Sequence, residues 1–305
     1  MAAKRFDELE HSIQRALERA GGEVACVGRG NWTLHPETSV DNPIEVRLRD
    51  QWVLCETPAP DPHVYSEFDM YAHWNSRLAG GCKVALEWDR MAASVREEIA
   101  VVDGVDLSNA CGEAIAHLIS ARGILAKRHK SPARAKKMPR QSQTAKTALT
   151  QVLAETCEAA GWGYAERDDG QPVVSLDLPH GPCSTFAEAR NGHDYRVYTR
   201  LARYPSLTEV SMRAVAAFLL TVNSVIRFVR TGLEDATDGI SAFAEARFSA
   251  CPSPAVLDVA LSALAVTCAM CDRELRALQS EMVAKHYLTA RGVSLVQKKA
   301  VSVCG

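Results

Sequence analysis

Cys268-Ala-Met-Cys271 is a pair of thiols at a spacing used both for zinc ligation and for redox chemistry. Structural zinc needs four ligands, and the sequence offers neither a second CxxC nor a spaced histidine pair to complete the set. The surrounding residues give a different account of the two thiols. Leu257, Leu261, Leu264, Cys268, Cys271, Leu275, Leu278 and Met282 recur in alternating steps of four and three, an apolar seam with both thiols inside it. The nine histidines are dispersed, and none stands at ligand spacing from a cysteine or an acid; His63 and His73 flank an expected helix start. Gly28-Arg-Gly30 lacks the remaining glycines of a phosphate loop and reads as a turn. Asp168, Asp169, Asp235 and Asp238 fall in expected hairpin turns, where Asp bonds its own backbone. No acid–base pair emerges, so the chain reads as a non-enzyme, with no metal and no cofactor.

Binding is the remaining chemistry. Tryptophans and phenylalanines carry large apolar area, and those left at a surface anchor partners. Trp52, Trp88, Phe228 and Phe243 are the candidates for contact with another protein. Lys127, Arg128, Lys130, Arg134, Lys136, Lys137, Arg140 and Lys146 form a basic run without a single acid. Removing those eight from the 35 basic residues leaves 27 against 37 acidic ones, so two acidic regions flank a basic strap. Phosphate contact by the strap would be salt-dependent. It has no interleaved aromatics, however, and its neighbours repel polyanions, so it reads as a flexible tether and not a nucleic-acid site.

The 305 residues suffice for two domains, and 47% hydrophobic with 24% charged is ordinary globular composition. No apolar run reaches the roughly 18 residues that span a bilayer; the longest, Val210 to Ile226, is broken by Ser211, Arg213, Thr221, Asn223 and Ser224. The N-terminus enters a charged amphipathic pattern directly, which points to the cytosol, where the ten cysteines stay reduced.

The elements that must position these residues repeat. Phe6, Leu9, Ile13 and Leu17 mark a helix over 4–20, ended by Gly21-Gly22. A strand follows around Trp32–Leu34, then a hairpin from the alternating Ile44–Arg49 and from Trp52–Cys55. Ser66 to Asp69 has capping-box spacing for a helix through Leu78, and Lys83–Trp88 and Ser94–Val102 form a second hairpin ahead of a helix from Ser108. After the strap at 127–146 the order returns. A helix over 147–160 precedes a short strand candidate at Tyr164–Glu166, then Pro172–Leu178. Phe186–Ala189 and Tyr195–Leu201 flank the turn former Asn191-Gly192. Ser206 to Glu209 caps a helix to Ile226, strands lie near Arg227–Thr231 and Ile240–Phe248, and a helix starts at Pro254. The expected fold is α+β: two tandem α-β-β-β-α-β-β-α units, with antiparallel sheets packed against helices, over 1–126 and 147–305.

The helix Ser206–Ile226, running straight into Arg227-Phe-Val-Arg230 and followed by Ile240–Phe248 and the Pro254 helix, resembles the type III secretion chaperone-like fold of bacterial secretion chaperones and related regulatory proteins. The resemblance covers each half once and implies no catalytic residues. It implies a protein that holds a client polypeptide, with the two fused units pairing internally in place of the family's homodimer, and homo-oligomers as a further option. A regulatory protein responding to a small molecule on the same fold is the alternative. The seam over 257–282 would be about 39 Å long, more than one small sheet covers, and is expected to pack on the other half.

Overall fold

The computed structural model describes residues 2–37, 42–49, 51–60, 68–90, 92–126, 143–179, 181–191 and 194–293. The first half contains α1 (Ala2–Ala20), β1 (Glu23–Gly28), β2 (Asn31–His35), β3 (Ile44–Arg49), β4 (Trp52–Pro58), α2 (Phe68–Asn75), β5 (Lys83–Glu87), β6 (Ala92–Ala100) and α3 (Leu107–Ala126). The second contains α4 (Gln143–Ala160), β7 (Gly163–Glu166), β8 (Pro172–Leu178), β9 (Gly181–Asn191), β10 (Asp194–Tyr204), α5 (Glu209–Val225), β11 (Arg230–Ala236), β12 (Gly239–Phe248), α6 (Pro254–Ala277) and α7 (Glu281–Thr289). Each half folds one six-stranded antiparallel sheet. The orders β1-β2-β3-β4-β6-β5 and β7-β8-β9-β10-β12-β11 are the same order read from corresponding ends. The α+β duplication expected from the sequence is therefore the architecture, with four strands instead of three ahead of each central helix. The added strand of the first half, β1, is mostly exposed and has no alternation to read; it exists because its backbone pairs with β2 from Glu23↔His35 to Gly28↔Asn31.

Alternation does explain the inner strands. Ile44, Val46 and Leu48 of β3 are buried while Glu45 and Arg49 face out. One face of the first sheet is covered by α3, on which α1 lies, and the second sheet carries α4 and α6 in the same way. Several details depart from sequence expectation. The cap of α5 is Thr208, whose side chain accepts from the Ser211 N–H, and not Ser206. Gln143–Lys146, read as strap, already belongs to α4. The expected cap at Ser66, residues 127–142 of the strap and Gly192 lie outside the described residues.

The seam on the last helix is interrupted. α6 stops at Ala277, Leu278 forms its buried C-cap, and Ser280 opens α7, which turns onto α5 and leaves Met282 exposed. Leu257 to Leu275 pack on β8, β10, β12 and α4 of the same half, so α6 does not fasten the two copies as its length suggested. By length and composition α6 is apolar enough to cross a bilayer, a property that an unbroken apolar run does not register because Asp258 interrupts it. Here its buried stripe serves the core of the second sheet.

The halves meet at the other end of each sheet. α2 packs on β11 and α5, and α5 packs on β5, so each central helix lies against the neighbouring half. The polar contacts there are reciprocal. Asn75 accepts the Val84 N–H at 2.7 Å and donates to the Thr231 carbonyl at 2.9 Å; Asn223 accepts the Thr231 N–H at 2.7 Å and donates to the Val84 carbonyl at 2.8 Å. Lys83 pairs with Glu98 at 2.9 Å and donates to the carbonyls of Ile226 and Val229. Arg230 pairs with Glu245 at 2.7 Å and donates to the carbonyls of Leu78 and Cys82. All six of these polar side chains are buried. Residue i of one copy meets j of the other while j meets i, the pattern of a twofold interface between like units. Burial pulls Arg230 down to about 10, so it remains a cation at neutral pH. Although burial pushes the Glu245 carboxyl up, Arg230, Arg247 and Arg196 together hold it down at about 2.

Candidate functional site

Beside this interface, a cavity of about 320 Å³ opens between the halves. One wall comes from the end of β6, the Gly80-Gly81 turn and the first turns of α3. The other comes from Phe228, the 248–253 segment and α6. Ile99, Val105, Ala110, Phe248, Val256 and Val259 supply apolar surface, and Glu97, Glu98, Glu113, His117 and Arg247 supply the charged groups.

The polar end is built around Glu97. Its carboxylate accepts the Gly81 N–H at 3.0 Å and the Cys82 thiol at 3.1 Å, and faces His117 Nδ1 at 3.2 Å. The hydrogen bond to Glu97 raises the His117 pKa, against a smaller opposing effect of burial. Gly80, at φ +51, makes this approach possible: a Cβ there would overlap the His117 ring and lie 3.0 Å from Glu97 Oε1. Glu113 holds the 249 segment through Ser249 and also accepts from Asn109. Arg247 is committed to Glu245 at 3.0 Å and to the Ser76 carbonyl at 3.1 Å. Arg247 is thus balanced by Glu245, Glu98 by Lys83 and Glu97 in part by His117, which leaves Glu113 to give this end of the cavity its acidic character.

Phe228 has φ +60, the left-handed region that costs a bulky side chain about 1–2 kcal/mol. It sits in the short link by which α5 runs into β11, with the Val229 N–H bonded to the Arg227 carbonyl at 2.7 Å. The kink turns Phe228 toward the cavity and leaves the carbonyls on either side, Ile226 and Val229, to the Lys83 amine.

The four aromatic candidates fall in different places. Phe228 lines the cavity. Trp52 is half-buried beneath the Arg227 guanidinium, 4.6 Å from its ring centre. Trp88 ties the halves together, donating from Nε1 to the Thr221 hydroxyl at 2.8 Å and meeting Phe68 edge-on at 5.9 Å. Phe243 is buried with its ring against Gly232, so it presents no face to a partner. Sequence reasoning did not find Glu97, Glu113 or His117. Glu97 stands in the charged run Arg96-Glu97-Glu98 of β6, Glu113 and His117 lie on α3, and what distinguishes them is that these elements meet. Cys268 and Cys271 are buried, as the seam implied, and carry no disulfide. Among the described residues no three His, Cys, Asp or Glu side chains are grouped to hold a metal ion.

No protein-family model matches the chain, and no curated protein matches it with significance.

Proposed function

We propose that this chain is a cytosolic ligand-binding regulatory protein, not an enzyme, whose paired halves close on a small molecule with an apolar body and a cationic group. The observation that carries this reading is the cavity between the halves, apolar along its walls and acidic at one end. Its volume lies at the small end of the roughly 300–1,000 Å³ typical of ligand pockets. Glu97 and Glu113 are each tied to neighbouring backbone or side chains, which suits fixed recognition better than proton transfer. Val259, on the α6 wall, provides the test. Protein isolated gently from its own cells and weighed by native mass spectrometry is expected to carry an adduct of a few hundred daltons, lost in Val259→Trp. A wild-type chain free of adduct, or an adduct unaffected by that substitution, would refute the reading.

A second reading, the holding of a client polypeptide, draws on the outer sheet edges. Among the described residues β1 and β7 each pair on one side only, and a client strand could add main-chain hydrogen bonds there. In that case the co-purifying species is a polypeptide, and Val259→Trp leaves it in place.

A further inference from the structure

Cys183 and Cys268 stand 85 residues apart in the chain, yet their sulfurs lie 3.7 Å from each other. One belongs to β9 and the other to α6, and neither is in a disulfide. Cys268 is buried and Cys183 half-buried, and both line a cavity of about 230 Å³ beside the later turns of α6, whereas the cavity between the halves touches its first turns. Arg200, Asp272 and Arg276 line that cavity too, the last two paired with each other at 2.6 Å.

A third group completes the arrangement. Thr199 of β10 places its hydroxyl 3.2 Å from the Cys183 sulfur and 2.7 Å from the Ser184 carbonyl. A hydroxyl has one proton, so Thr199 donates either to Ser184 or to Cys183, and a charged Cys183 draws it across. In the neutral pair the Cys183 S–H points at the Cys268 sulfur; once Cys183 has lost that proton, the Cys268 S–H and the Thr199 hydroxyl are the groups within reach to donate to it. The bond from Cys268 contributes most in lowering the Cys183 thiol to about 6, and Thr199 adds to it; burial and Asp272 oppose. Cys268 is pushed up, first by the bond to Cys183 and then by burial. Cys183 is the more accessible of the two sulfurs and the one whose thiolate is favoured, and Cys268 is buried against it, which is the order a nucleophile and its resolving partner require.

We propose that Cys183 and Cys268 form a modification site for hydroperoxides, in which Cys183 is oxidised and Cys268 closes an internal disulfide between β9 and α6. The Cys183 thiolate attacks the peroxide: an S–O bond forms, the O–O bond breaks, and the departing hydroxide or alkoxide takes a proton from solvent. The resulting sulfenic acid is then displaced by Cys268. The S–S bond forms, the S–O bond breaks, and the leaving hydroxide takes the Cys268 proton as water. Two electrons pass from the dithiol to the peroxide, and an external thiol returns them by exchange. Closing the gap to a bond of about 2.05 Å needs a shift of roughly 1.7 Å, within reach of side-chain rotation. The site is separate from the cavity between the halves, and its test does not depend on a ligand there.

Reduced full-length protein would be exposed to one equivalent of hydrogen peroxide, quenched by alkylation over time and mapped without reduction. The expected first product is a Cys183–Cys268 cross-link, forming roughly tenfold faster than oxidation of the exposed Cys26. In Cys268→Ala the sulfenic acid accumulates at Cys183 and is captured by dimedone. Should that variant fail to fold, the wild-type time course alone decides. Oxidation of Cys183 no faster than Cys26, or a first cross-link between Cys268 and Cys271, would overturn the proposal.

Discussion

His117 carries a pH signature that can be read with its sign. Its pKa is raised above the ordinary 6.5, chiefly by the hydrogen bond to Glu97, so the folded chain holds this proton more tightly than the unfolded one. The associated stability is fully present below about 6.5 and is lost as pH rises through the folded value. His73 acts in the opposite sense, because burial lowers its pKa, and its contribution is lost as pH falls. The difference between wild type and His117→Gln isolates the first effect. Denaturant midpoints at about pH 5.5 and about pH 8.5 should show the wild type losing its margin over the variant as pH rises. An equal gap at both values would show that the Glu97 contact does not hold the proton. At this scale the sequence is a poor guide. His117 and Glu97 are 20 residues apart, and no spacing rule links a strand acid to a histidine on the next helix.

At the scale of elements, the halves come close together where β11 crosses α2. A Cβ at Gly232 would stand 2.5 Å from the Ala72 carbonyl oxygen, 2.9 Å from the Phe243 ring and 3.0 Å from Asn75 Cβ. Gly232→Ala therefore forces β11 away from α2 and should cost about 1–3 kcal/mol, read as a lowered denaturant midpoint. A midpoint equal to wild type would mean that the two elements do not touch in solution. The elements were themselves largely legible, because Ile44–Arg49 alternates and the stripe on α6 repeats in fours and threes. Illegible were β1, held by backbone pairing to β2 and not by any pattern of side chains, and the break after Ala277. The seam continues in register through Leu278 to Met282, so periodicity alone runs past a turn made by the backbone at 278–280.

At the scale of the whole molecule, duplication makes each half a partner for the other. Lys83 is the most exacting part of that contact. Its amine is fully buried, neutralises Glu98 within its own half and caps the Ile226 and Val229 carbonyls of the other. Burial lowers its pKa while Glu98 opposes the change. Removing one member of a buried pair costs about 3–5 kcal/mol where the other charge is left stranded, and here Glu98 would keep only Arg227, at 3.6 Å and partly exposed; replacing both members with apolar groups of similar volume is often neutral. Lys83→Met should thus destabilise the chain strongly, and Lys83→Met with Glu98→Leu should recover part of the loss, the two orphaned carbonyls remaining. Co-expression of 1–126 and 143–305 as separate chains then asks whether these contacts suffice without a covalent link. The fragments should purify as a one-to-one complex that Lys83→Met disrupts and the double substitution partly restores. Two stable fragments that purify apart would show that the reciprocal Asn75, Asn223, Lys83 and Arg230 contacts do not bind the halves. In that event a cavity between them could not serve as a site in solution, because its two walls come from opposite halves.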